Sequence, residues 1–317
     1  MELSEKHISR LINGEVKLTP DVACRLEMVL GLPAQFWNNL EAIYREKTAK
    51  AEAENAMEDD IDLAKKLPYK EMAQNGWVPM TSNSKEKVIN LRKYFEVVHL
   101  GLLNNSSITR IACRRLSVTQ KGDFALIAWA QKAKLEARKI DTEPINLKIL
   151  TEKIPEIRKM TRMRAEEFCP KLIDELCHCG IALVFLPHIG GSFRHGATFI
   201  DGNKIVIGLT VRGKDADKFW FSLFHEIAHI LYGHVNQAEG TSAFDEQTAN
   251  EFARDTLISG SSFREFVRQK NFSKQAIKQF ARSIGIDEGI VVGRLQKEGH
   301  IPYNWHNCLK TKYEIAS

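Results

Sequence analysis

The chain's most reactive stretch is Phe224-His225-Glu226-Ile227-Ala228-His229. On an α-helix, residues four apart stand one turn apart on the same face, so both imidazoles can reach one metal ion. Glu226 leans over the same edge, where it can take a proton from water. Zinc suits such a pair because it accepts nitrogen ligands tetrahedrally and needs no redox partner. The flanks are apolar (Phe219, Trp220, Phe221, Leu223, then Ile230 and Leu231), which predicts a buried helix. Two histidines and a glutamate inside such a helix are costly unless they bind something. The plainer alternative is a pair of core histidines satisfied by hydrogen bonds.

A catalytic zinc needs a third protein ligand and an open position. The run Asp245-Glu246-Gln247-Thr248-Ala249-Asn250-Glu251-Phe252-Ala253 reads as the next helix, and Glu246 follows His229 after room for a loop. Asp245, His234 and Glu251 are the other candidates. Asn250, one turn beyond Glu246, is expected to hydrogen-bond a ligating histidine. Small Ala249 and Ala253 would let the two helices approach closely. Tyr232, His234 and His195 are candidate donors to a developing oxyanion. The expected chemistry is peptide hydrolysis with one zinc per chain, Glu226 passing the water proton to the leaving amine. The run 204–209 is expected to offer an exposed strand edge to an extended substrate.

Around these residues the pattern predicts an α+β fold, mostly helical with a small sheet beside the zinc-binding helix. Ser4 can cap a helix over 4–12, Thr19-Pro20 opens a second that Gly31 closes, and a third starts near Pro33. It runs into a charged stretch without an apolar stripe, so 1–45, a linker or solvated helix over 46–60 and a helical middle region over 61–150 are expected as separate parts. Strand-like runs at 181–186 and 204–209 flank the turn Asp201-Gly202-Asn203. Helices follow at 217–234 and 245–258, with a helical pair near 273–297 and a tail at 301–317. Within that pair, the spacing Ala281…Gly285…Val291 suits a helix-turn-helix turn, against a plain packed hairpin.

Composition bounds the function. At 317 residues, 44% hydrophobic and 27% charged, the chain is ordinary for a globular protein, and its net charge of +5 permits an acidic partner without requiring one. No apolar run reaches the ~18–20 residues that span a bilayer, so no membrane partner is expected. The six cysteines are scattered, and Cys177-His178-Cys179 lacks a second ligand pair, so it reads as a helix end entering a strand. Reduced thiols and no signal pattern place the chain in the cytoplasm.

The pattern His225-Glu226-Ile227-Ala228-His229, followed by Glu246-x-x-Ala249-Asn250-x-Phe252-Ala253, resembles the ImmA/IrrE metallo-endopeptidases of the gluzincin class. The resemblance spans about 151–300 and includes Gly196-Ala197-Thr198-Phe199-Ile200-Asp201-Gly202-Asn203-Lys204. It implies a cytosolic zinc endopeptidase that cleaves helix-turn-helix repressors or antitoxin-like regulators, with His225, His229 and Glu246 as ligands and Glu226 as base. At the other end, Leu3-Ser4-Glu5-Lys6-His7-Ile8-Ser9-Arg10-Leu11-Ile12-Asn13-Gly14 and Leu18-Thr19-Pro20 resemble the recognition helix and following helix of HigA/Xre-type antitoxin repressors. Such amino termini often dimerise, so a homodimer is a candidate state. The helix that should precede the recognition helix is absent before Met1, so sequence-specific DNA binding is not expected, and 1–45 is expected to dock a protein substrate. The rival expectation is an antitoxin-like regulator whose zinc unit is a sensor or scaffold.

Overall fold

Two apolar strand runs with little alternation, Ile181–Phe185 (β1) and Lys204–Leu209 (β3), point to a sheet covered on both faces. The computed structural model, which describes residues 4–104, 120–190, 196–210, 215–237 and 241–313, shows such a sheet. With Gly196–Asp201 (β2) it has the order β1-β3-β2. β1 lies parallel to β3, with Leu183 opposite Ile207, and β2 runs antiparallel, with Thr198 opposite Ile207. Ile205, Ile207 and Leu209 join the main core on one face. On the other, Gly208 meets the helix Gln120–Ala137, where an added Cβ would stand 2.7 Å from the Trp129 ring. The expected free edge at 204–209 is therefore corrected. β3 is central because β1, more than twenty residues earlier, returns beside it, and the strands with one paired side are β1 and β2.

The chain divides into two units, Met1–Asp62 and Leu63–Ser317. In the first, Ser4 caps α1 (Glu5–Ile12) by accepting from the His7 amide. Thr19 caps α2 (Pro20–Leu30), and Gly31 at φ 73° ends it. Val22 and Ala23 are buried, whereas no residue of α1 is. Helix α3 runs unbroken from Ala34 to Lys66, so the charged stretch is helical and the division falls near its end.

The second unit begins with short helices α4 (Tyr69–Gln74) and α5 (Ser84–Phe95), followed by α6 (Gln120–Ala137). Helices α7 (Leu147–Lys159) and α8 (Ala165–Cys177) lead to the sheet. Cys179 is buried between α8 and β1, as a helix end entering a strand would place it. After the sheet come α9 (Ala216–Leu231), α10 (Ala243–Leu257), α11 (Gly260–Arg268), α12 (Lys274–Ile284) and α13 (Glu288–Lys297). Among the described residues the protein is mostly helical with one small sheet, the α+β class expected. The core gathers round Trp220, whose ring lies 4.8 Å from that of Phe168.

One expectation changes here. Residues 301–313 are not a tail, because Ile301 and Tyr313 are buried in the core and Tyr313 Oη accepts from Trp220 Nε1 at 3.1 Å. Lys310 Nζ pairs with Asp217 at 2.8 Å, and the Ala216 amide donates to Thr311. The segment's place is set by contacts with α9, far off in sequence, which no local pattern in 301–313 records. The α12–α13 pair is the packed hairpin expected in preference to a helix-turn-helix turn, since Ile290, Val291, Val292 and Leu295 are buried.

Candidate metal centre

Helix α9 is buried on nearly every side, and α10 packs against it through fully buried Ala249 and Ala253. That approach brings three donors together. His225 Nε2 and His229 Nε2 are 3.0 Å apart, and Glu246 places its carboxylate oxygens 3.4 Å from the first and 3.6 Å from the second. They form the one His/Cys/Asp/Glu cluster with metal-holding spacing among the described residues. Tetrahedral bonds of about 2.0–2.1 Å set donor atoms roughly 3.3 Å apart, so these residues fit a metal ion. Two imidazole nitrogens facing each other need either a shared proton or a shared cation, and a cation satisfies both lone pairs as well as the carboxylate.

The neighbours of this triad were only partly foreseen. Thr241, buried, donates through Oγ1 to Glu246 Oε1 at 2.7 Å and aims the carboxylate. Glu226 is also buried, and Thr198 on β2 donates to its Oε2 at 2.6 Å. Gly196, at the start of β2, is needed for space, because a Cβ there would lie 2.8 Å from Leu209 and 3.1 Å from Glu226. Thr198 and Gly196 lay inside the strand-turn-strand run, but nothing local assigns them to Glu226. Their partner is 28 or more residues away.

Gly233 at φ 71° turns the chain back at the end of α9, with nothing near its missing Cβ, so conformation rather than space calls for glycine. His234 thereby folds under His229, Nδ1 to Nδ1 at 2.9 Å, and its Nε2 reaches Asp245 Oδ1 at 3.2 Å. The Ser242 amide and hydroxyl both donate to Asp245 in a capping box that starts α10, and they hold its carboxyl below the usual range.

The other sequence candidates fall as follows. His234 is engaged between His229 and Asp245 and does not stand as an oxyanion donor. Asp245 faces His234 rather than the metal triad, and Glu251 accepts from Gln247 on an exposed face. Asn250 is exposed and makes no described bond to either histidine, because one turn beyond Glu246 on α10 already points to solvent. His234, not Asn250, makes the contact with a ligating histidine. Tyr232 is half-exposed, its ring 5.8 Å from His234 and from Phe252. His195 lies outside the described residues.

Comparison with known proteins bears on the other end of the chain. An amino-terminal stretch is 36% identical over 67 residues to the "uncharacterized HTH-type transcriptional regulator YddM" of Escherichia coli K12. The match takes in 21% of this chain and spans 65% of that regulator's length. The amino terminus carries a helix-turn-helix-type segment. No family model matches the chain, and no solved structure matches it. Among the described residues, no helix is long and apolar enough to cross a membrane.

Proposed function

We propose that the second unit is a zinc-dependent endopeptidase acting on a protein substrate, a helix-turn-helix repressor or antitoxin-like regulator, so that cleavage relieves repression. The observation that carries this reading is the convergence of His225, His229 and Glu246 beside a buried, hydroxyl-held Glu226. The nitrogen and oxygen donors suit zinc, and the substrate class follows the motif's resemblance to the ImmA/IrrE enzymes. When bound, the metal supplies a Lewis acid that polarises the scissile carbonyl and brings the pKa of water towards ~7. Glu226 accepts the proton of the attacking water and delivers it to the leaving amine. The Thr198 hydroxyl keeps that carboxylate oriented. With β3 central, the strand offered to an extended substrate is β2, which carries Thr198 and is paired on one side. Tyr232 remains the candidate oxyanion donor.

The test is incubation with helix-turn-helix proteins encoded beside this one, followed by mass spectrometry for a new amino terminus. Cleavage by the zinc-loaded chain and none by Glu226→Gln is expected. Persistent cleavage by the Gln variant would remove Glu226 from its role, and no cleavage of any regulator would sink the substrate class.

A second reading has its own observation, the likeness to an HTH-type regulator together with an α1 that buries no residue and carries Lys6 and Arg10. On that reading the first unit binds DNA and the metal unit senses or stabilises. Footprinting over the chain's own promoter at moderate salt separates the two. A protected site lost on deletion of the first unit supports the regulator, and an unprotected promoter supports the peptidase reading.

A further inference from the structure

His234 sits in a hydrogen-bonded chain that peptide hydrolysis does not itself require. If His229 ligates through Nε2, its ring proton is on Nδ1. That nitrogen faces Nδ1 of His234 at 2.9 Å, so His234 Nδ1 is the acceptor and its own proton lies on Nε2. Nε2 then donates to Asp245 Oδ1 at 3.2 Å. One tautomer at each ring satisfies both contacts. Asp245 is anchored in turn by Ser242, at the start of the helix that carries Glu246.

We infer that His234 is the positioning residue of the metal centre, setting the tautomer and ring direction of His229 and tying it to the helix that supplies the third ligand. The inference rests on the metal reading above. Ligating histidines usually give their second N–H to a carboxylate, carbonyl or water. Here a neutral imidazole stands between ligand and carboxylate, so one side chain couples α9 to α10. His225 lacks such help, since its Nδ1 is buried with no hydrogen-bond partner among the described residues. Ligand orientation therefore leans on His229.

Asparagine and glutamine divide the two halves of the link. In His234→Asn an acceptor remains near the position of Nδ1, but Asp245 is out of reach. In His234→Gln a donor remains near the position of Nε2, and the acceptor for His229 is lost. Zinc affinity of the full chain is measured against a competing chelator, and the cobalt-substituted protein gives the ligand-field spectrum. Variants are compared at matched melting temperature of the metal-free protein. The expected result is a 10–100-fold weaker affinity and a shifted cobalt spectrum for H234Q, with H234N within a few-fold of wild type. Equal losses in both would mark His234 as packing alone and overturn the inference, as would wild-type affinity in H234Q. If H234Q does not fold, Asp245→Asn reads the same link, with weaker zinc binding expected and unchanged binding overturning it. A wild-type chain that holds no zinc overturns the metal reading and this inference together, whereas zinc held by wild type and H234Q alike overturns the inference only.

Discussion

Two members of the candidate metal triad, His229 and Glu246, are each aimed by a neighbouring side chain, and that makes single changes informative. His229 is almost fully buried, its two ring nitrogens facing His225 and His234. His229→Ala removes a ligand and the centre of that array, so zinc content by elemental analysis is expected to fall from one per chain to near zero. Undiminished zinc would refute the ligand assignment. Thr241→Val keeps shape but takes away the hydrogen bond that aims the Glu246 carboxylate. Zinc affinity is expected to drop about tenfold or more, with little change in melting temperature. At Gly196 the effect differs in kind, since a methyl group would press on Glu226 without touching the three ligands. Gly196→Ala should bind zinc normally and lower kcat, and a loss of metal instead would mean that the strand, not Glu226, had moved.

At the scale of elements, α9, which carries His225 and His229, is fastened at both ends. Its far end turns at Gly233 into His234, and its start is clamped by the carboxy-terminal segment through Lys310, Thr311 and Tyr313. The Lys310–Asp217 pair has side chains only 9% and 10% exposed, so removing one partner leaves a buried charge. Lys310→Met is expected to cost about 3–5 kcal/mol in denaturant unfolding, and pairing it with Asp217→Leu should recover most of the loss. A loss under 1 kcal/mol would show that the segment does not hold α9. Gly208 makes a comparable point within the sheet, where the Trp129 ring closes over β3 and any side chain overpacks the contact.

For the whole molecule, the division near Asp62 sets an amino-terminal unit apart from the unit that carries the candidate metal triad. Deleting residues 1–62 is expected to leave zinc content and melting of the remainder intact while weakening cleavage of the natural regulator. Loss of zinc in the truncated chain would show that the units are not independent. Much of this protein was determined by local sequence alone: the His225–His229 spacing on a helix, Glu246 on the next, the capped helices at Ser4 and Thr19, and the α+β class. Helical geometry and capping act over a few residues, so spacing suffices to predict them. Tertiary structure alone decided that β3 is central, that Thr198 holds Glu226, that His234 rather than Asn250 meets His229, that α13 is buried and that residues 301–313 enter the core. Each of those depends on which segments return beside one another. Pairing and burial between distant segments are set by the packing of the whole unit, which no local period records.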